Sequence, residues 1–175
     1  MTKIVPAKEC QCGSGKVRSR RHPPLSASMR HVERSALVPY TPAQMFALVS
    51  DIERYPDFVP WVSAARLIER TDKEVIGELE MERSGLKEKF TTRNILSPPD
   101  SMELRLVNGP FKLLEGRWSF EPIGERGTRI GLSIRFEFAN PMLSLMLSKT
   151  FEKSCAQLVD SFVARARAVY GTSNA

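Results

Sequence analysis

The sequence has no apolar run long enough to cross a bilayer. A spanning helix needs about 18 or more consecutive apolar residues. The longest apolar stretch here, residues 141–147, is short and broken by Ser144. An integral helical membrane protein is thereby excluded. Cysteine is nearly as scarce, with Cys10, Cys12 and Cys155 as the full set. Three thiols make no disulfide framework, which places the chain in a reducing compartment. Cys10 and Cys12 stand one residue apart, tighter than zinc-knuckle spacing, and His22 is the one extra ligand nearby, so no metal site is read there. Outside the first 28 residues the sole histidine is His31. No Ser–His–Asp or Cys–His arrangement can be assembled from such a set, and no glycine-rich phosphate loop occurs. Catalytic residues, metal ligands and a catalytic cofactor are therefore all expected to be none.

An excess of one charge is missing too, once the net +6 is divided along the chain. Residues 1–28 carry Lys3, Lys8, Lys16, Arg18, Arg20 and Arg21 against Glu9 alone, a charge of +5, which leaves +1 for all that follows. The body is close to neutral, and DNA is not an expected partner. The first 28 residues also hold Gly13, Gly15 and the Pro23-Pro24 pair, with little that can pack. They read as a disordered basic tail, lacking both the apolar segment of a secretory signal and a continuous presequence helix. A folded domain is expected over 29–171, with a short second tail at 172–175.

What is present is periodicity. Residues 31–38 read as a strand ended by Pro39. Thr41 suits a helix cap, Pro42 the first turn, and Met45, Phe46, Leu48 and Val49 have helical spacing. A second short helix is expected from Ser50 or Asp51. Two-residue alternation then recurs in 75–81, 86–96, 102–106, 114–120 and 129–138, with turn signals at Ser84-Gly85, Pro98-Pro99, Asn108-Gly109-Pro110 and Gly124 to Gly127. Each run has one apolar and one polar face, as in an antiparallel meander with one side buried. The last segment changes period: Leu147, Phe151, Cys155, Leu158, Phe162 and Ala166 lie three or four apart and predict a long amphipathic helix ending at Gly171. One apolar sheet face and one apolar helix stripe bury each other if the helix lies in the concave side. The predicted class is α+β: a curved antiparallel sheet of six or seven strands around a long C-terminal helix, with two short helices after the first strand, the helix-grip arrangement.

Two stretches carry a resemblance. Residues 49–61, Val-Ser-Asp-Ile-Glu-Arg-Tyr-Pro-Asp-Phe-Val-Pro-Trp, and residues 109–120, Gly-Pro-Phe-Lys-Leu-Leu-Glu-Gly-Arg-Trp-Ser-Phe, are similar to motifs of the START-like coenzyme Q-binding proteins of the polyketide cyclase/dehydrase superfamily. Bacterial members of that family include those named ribosome association toxin RatA. The opening residues 32–40 fit as well, so the resemblance spans about 30–170. One departure is Val62, where the family usually has a cysteine after the tryptophan. The resemblance implies a hydrophobic cavity between sheet and helix that holds ubiquinone or a similar isoprenoid lipid, in support of respiratory electron transport and without redox chemistry by the protein. It also implies a cytoplasmic location with transient membrane surface contact at the inner membrane, or the mitochondrial matrix in a eukaryote. The toxin name implies instead a partner in the large ribosomal subunit. Other relatives of the fold are cyclases, which need acid–base groups in the cavity.

The candidate ligand-binding residues follow from these patterns. Leu79, Met81, Phe90, Leu106, Trp118, Phe120, Phe151 and Leu158 face inward, where core and cavity wall are the same surface. Tyr55, Phe58, Val59 and Trp61 crowd a proline-bracketed loop, which reads either as an aromatic rim at a cavity mouth or as a plug closing the barrel end. Leu145 belongs to the 141–147 stretch, apolar on all sides of the helix start and suited to a lid or a membrane-touching role as well as to burial. Glu88, Thr92 and Asn94 are polar groups on the apolar side of their strand, so they need partners or water. A quinone head group and the wet ends of the strand both remain open as that partner. Outward basic residues on the strands are interleaved with Glu103, Glu115, Glu121 and Glu137, which weakens an RNA-binding face.

Overall fold

A computed structural model of the chain describes residues 28–172. The expected disordered tail, apart from Ser28, and the Cys10–Cys12 pair lie outside the described residues, as do residues 173–175. The elements run β1 (Arg30–Val38), α1 (Pro42–Ser50), a 3-10 helix (Ile52–Asp57), β2 (Val62–Arg70), β3 (Glu74–Arg83), β4 (Leu86–Ser97), β5 (Ser101–Asn108), β6 (Phe111–Ile123), β7 (Gly127–Phe138) and α2 (Pro141–Tyr170). The strands form one antiparallel sheet in the order β1-β7-β6-β5-β4-β3-β2. Strands β2 to β7 are thus a meander, and β1 closes it by pairing with the last strand. Among the described residues no helix is long and apolar enough to cross a membrane.

Local chemistry sets the ends of the elements. Thr41 and Gln44 form a capping box at the start of α1, with Pro42 in its first turn. Asn140 caps α2 by accepting from the Met142 N–H at 2.8 Å, and Gly171 stops it at φ 76°. Between β3 and β4 both turn residues have positive φ, Ser84 at 54° and Gly85 at 79°. That is the primed two-residue hairpin whose twist matches the flanking strands.

Strand β2 is the element that alternation does not mark. It is an edge strand, mostly exposed, with register breaks after Val62 and Leu67 that disrupt any two-residue pattern. The other strands bury the face expected of them: Thr128, Ile130, Leu132, Ile134, Phe136 and Phe138 of β7 all point inward. Helix α2 lies on this concave face and buries Leu147, Phe151, Cys155, Leu158, Val159, Phe162 and Ala166 along one stripe. The convex face carries cross-strand ion pairs instead, among them Arg93–Glu74 at 3.7 Å, Arg117–Glu103 at 3.1 Å, Arg129–Glu121 at 3.8 Å and Arg135–Glu115.

Candidate functional site

The sheet and α2 do not fill the space between them. A cavity of about 50 Å³ remains, walled by Gly77 and Leu79 of β3, Phe90, Thr92 and Asn94 of β4, Leu104 of β5, Leu114 and Trp118 of β6, and Ile134 of β7. Phe151, Cys155 and Leu158 of α2 form its roof, and Ile52, Tyr55 and Trp61 close one side. At about 10–15 Å³ per water centre the space holds a few water molecules. It is a narrow apolar chamber, tighter than the cavity the resemblance implies.

A smaller pocket of about 20 Å³ adjoins the chamber and shares Trp61 and Phe151 with it. Its other walls are Met81 and Arg83 at the end of β3, Leu86 and Glu88 at the start of β4, and Leu147, Thr150 and Ser154 of α2. The rings of Trp61 and Phe151 meet edge-to-face, 5.8 Å between centroids, so they form the partition between inner and outer space.

Of the residues expected at the ligand, Tyr55, Trp61, Leu79, Phe90, Trp118, Phe151 and Leu158 come together around the chamber, and Met81 stands in the outer pocket. Phe58, Val59, Leu106 and Phe120 are not among the lining residues. Phe120 packs on Phe46 of α1 and beside Trp118. Phe58 packs on Phe162 at 5.1 Å with the Arg165 guanidinium 5.3 Å above its ring, and Val59 is fully buried. The proline-bracketed loop is thus a plug, its apolar groups turned into the core. Leu145 is 88% exposed on a different groove, beside Lys149 and Lys112.

Thr92 and Asn94, the polar groups on the apolar side of β4, both line the chamber. Glu88 instead lies in the outer pocket with Arg83. Ile52 and Gly77 went unnoticed. A Cβ on Gly77 would come within 1.8 Å of the Ile52 side chain, so this glycine lets the 3-10 helix press against β3. No local pattern announces a contact made across 25 residues of chain.

The chamber is poor in groups that move protons. Among the described residues no histidine or carboxylate lines it, and none gather as three or more potential metal ligands. Burial, reinforced by the nearby Glu152 charge, pushes the Cys155 thiol well above its usual range. The thiol therefore stays protonated and unreactive. Burial, with Asp51 nearby, pushes the Tyr55 phenol up as well, and its hydroxyl donates to the Val49 carbonyl. Asn94, 3% exposed, stands apart because its Oδ1 has no hydrogen-bond partner.

Comparison with known proteins agrees with this architecture. Residues 38–163 match the family described as polyketide cyclase / dehydrase and lipid transport. The ribosome association toxin RatA of Pseudomonas aeruginosa is 40% identical over 141 residues, covering 81% of this chain and 98% of the relative. The mitochondrial coenzyme Q-binding protein coq10 of Schizosaccharomyces pombe is 27% identical over 76% of this chain and 84% of its own length. Among solved structures, the Zhui aromatase/cyclase from Streptomyces superposes with a TM-score of 0.74 at 18% identity, over 83% of this chain and 98% of that one. At that identity it speaks for the fold alone. A sheet closed on a long C-terminal helix, with a family match over most of the chain, makes this protein a member of the polyketide cyclase / dehydrase and lipid transport family, on the START-like branch that includes the RatA and coq10 proteins.

Proposed function

We propose that the chain binds an isoprenoid quinone of the ubiquinone type in the chamber beneath α2, and carries it without altering it, in support of respiratory electron transport. The observation that carries this reading is the enclosed apolar chamber, divided by the Trp61–Phe151 partition from an outer pocket at the β3–β4 hairpin. The driving force is removal of the prenyl tail from water. At roughly 25 cal/mol per Å², a few hundred Å² of apolar surface supplies several kcal/mol before ordering costs. A neutral buried thiol and an apolar wall suit a carrier better than a catalyst of ring closure. Met142, Leu145 and Met146 are exposed at the start of α2, the helix whose Leu147, Thr150 and Ser154 line the outer pocket. With Lys149 among them, these residues suit brief contact with an anionic membrane surface during loading.

The test is extraction of the purified full-length chain with organic solvent, mass spectrometry of the extract, and titration of the emptied protein with a short-chain ubiquinone. A co-purified isoprenoid and saturable binding are the expected result. Empty protein that does not bind the quinone would overturn the reading.

A second reading, association with the large ribosomal subunit, is favoured by one observation: the relative named for it is 40% identical and the coenzyme Q-binding one 27%. Against it stands the convex face, whose arginines are paired with glutamates rather than free for RNA phosphates. Co-sedimentation with large subunits at physiological salt decides it.

A further inference from the structure

The inward row of β4 works as a ruler through the site. Leu86 and Glu88 belong to the outer pocket, then Phe90, Thr92 and Asn94 to the chamber. Successive inward residues are two apart, so Glu88 and Asn94 are separated by about 20 Å along the strand. Asn94 marks the inner end and the hairpin marks the mouth. At the inner end Asn94 is held by sheet pairing between Val75 and Leu104, and its buried Oδ1 meets no donor from the protein. A buried acceptor left unpaired costs free energy that a ligand donor recovers. Tyr55 cannot be that donor, since its hydroxyl is already directed to Val49. Thr92, on the same face two residues away, adds a group able to donate or accept.

Resting on the reading that the chamber takes an apolar lipid, we propose that Asn94 anchors the head of that lipid and that the head is a hydrogen-bond donor, a hydroxyl at the end of a prenyl chain. The ligand enters head first. Its hydroxyl donates to Asn94 Oδ1, and its tail leaves between Trp61 and Phe151 toward Met81 and Leu147. A quinone offers only acceptors to Oδ1, whereas its reduced quinol offers the missing hydrogen. The site therefore holds the quinol form in preference to the quinone.

The experiment compares four probes on the full-length chain by quenching of tryptophan fluorescence: farnesol, farnesyl methyl ether, a short-chain ubiquinol and the matching ubiquinone. The alcohol is expected to bind roughly tenfold to a hundredfold more tightly than its ether, and the quinol more tightly than the quinone by a similar factor, the span that one buried hydrogen bond commands. The Asn94→Leu variant keeps the branched shape and loses the acceptor, so both preferences should collapse in it while ether binding persists. The comparison within the native protein does not depend on how that variant folds. Equal binding of alcohol and ether, or a preference that survives in the variant, removes the anchor and leaves lipid binding standing. Failure of all four probes to bind removes both.

Discussion

The two ends of α2 live in opposite surroundings. Its second half is sealed: Phe162 and Ala166 have no exposure, and the Phe162 ring stands edge-on to Tyr55 at 5.2 Å, Phe58 at 5.1 Å and Trp118 at 5.1 Å. Its first turns leave Met142 69%, Leu145 88% and Met146 52% exposed. One helix therefore both covers the concave face of the sheet and presents apolar side chains to whatever lies outside. The difference separates residues that hold the fold from residues free to act, because apolar groups without a partner inside the molecule contribute nothing to its stability.

The largest expected effect is at the sealed end. Phe162→Ala removes a ring that three aromatic neighbours enclose, and the plug formed by the 3-10 helix loses its floor. A cost of about 3–5 kcal/mol is expected in urea unfolding. A loss below about 1 kcal/mol would mean that the plug repacks and that the two ends are less different than they look.

A smaller effect distinguishes pH from packing at the same end. Tyr55→Phe removes the donor to Val49 and should cost about 1 kcal/mol at neutral pH. The raised phenol pKa means that the folded chain keeps Tyr55 neutral where the unfolded chain ionises it. Its contribution is complete below the ordinary phenol pKa of 10.0 and is lost as pH climbs above it. Cys155 acts in the same direction in both proteins and cancels in their difference. Unfolding curves of native and variant chains should therefore converge between about pH 10 and 11. Curves that stay parallel there would show that Tyr55 is not the buried titrating phenol.

Much of this contrast was legible in the amino acids. Strands β3 to β7 announce themselves because one face is wet and the other dry, and that alternation also placed Phe90, Trp118 and Leu79 on the cavity side. Burial alone cannot separate wall from core. Phe120, on the same face as Trp118 and two residues on, packs against α1 instead, because α1 covers that end of β6. The loop at 55–61 was ambiguous for a related reason: composition says that apolar groups are present, not which way a bracketed loop turns. Strand β2 was silent, since an edge strand with register breaks keeps no alternation. Gly77 was silent as well, because its meaning lies in Ile52, a contact made only after folding.

The least costly substitutions for stability fall at the open end, and there the reading of function is exposed most directly. Met142 and Leu145 together, changed to serine, should alter unfolding free energy by less than about 0.5 kcal/mol, since neither is enclosed by the protein. Their effect on membranes should be much larger than that. An exposed Leu or Met side chain entering the interface recovers on the order of 1.5–3 kcal/mol if fully buried, and a nearby lysine such as Lys149 adds about 1 kcal/mol against an anionic surface. Partial insertion of both side chains still predicts at least a tenfold fall in partitioning of the double variant onto vesicles of mixed phosphatidylcholine and phosphatidylglycerol, measured by sedimentation. Because most of the loss is apolar, it should persist in high salt, whereas Lys149→Gln should matter only at low ionic strength. Vesicle binding that is unchanged by the serine pair would show that the exposed start of α2 faces something other than lipid.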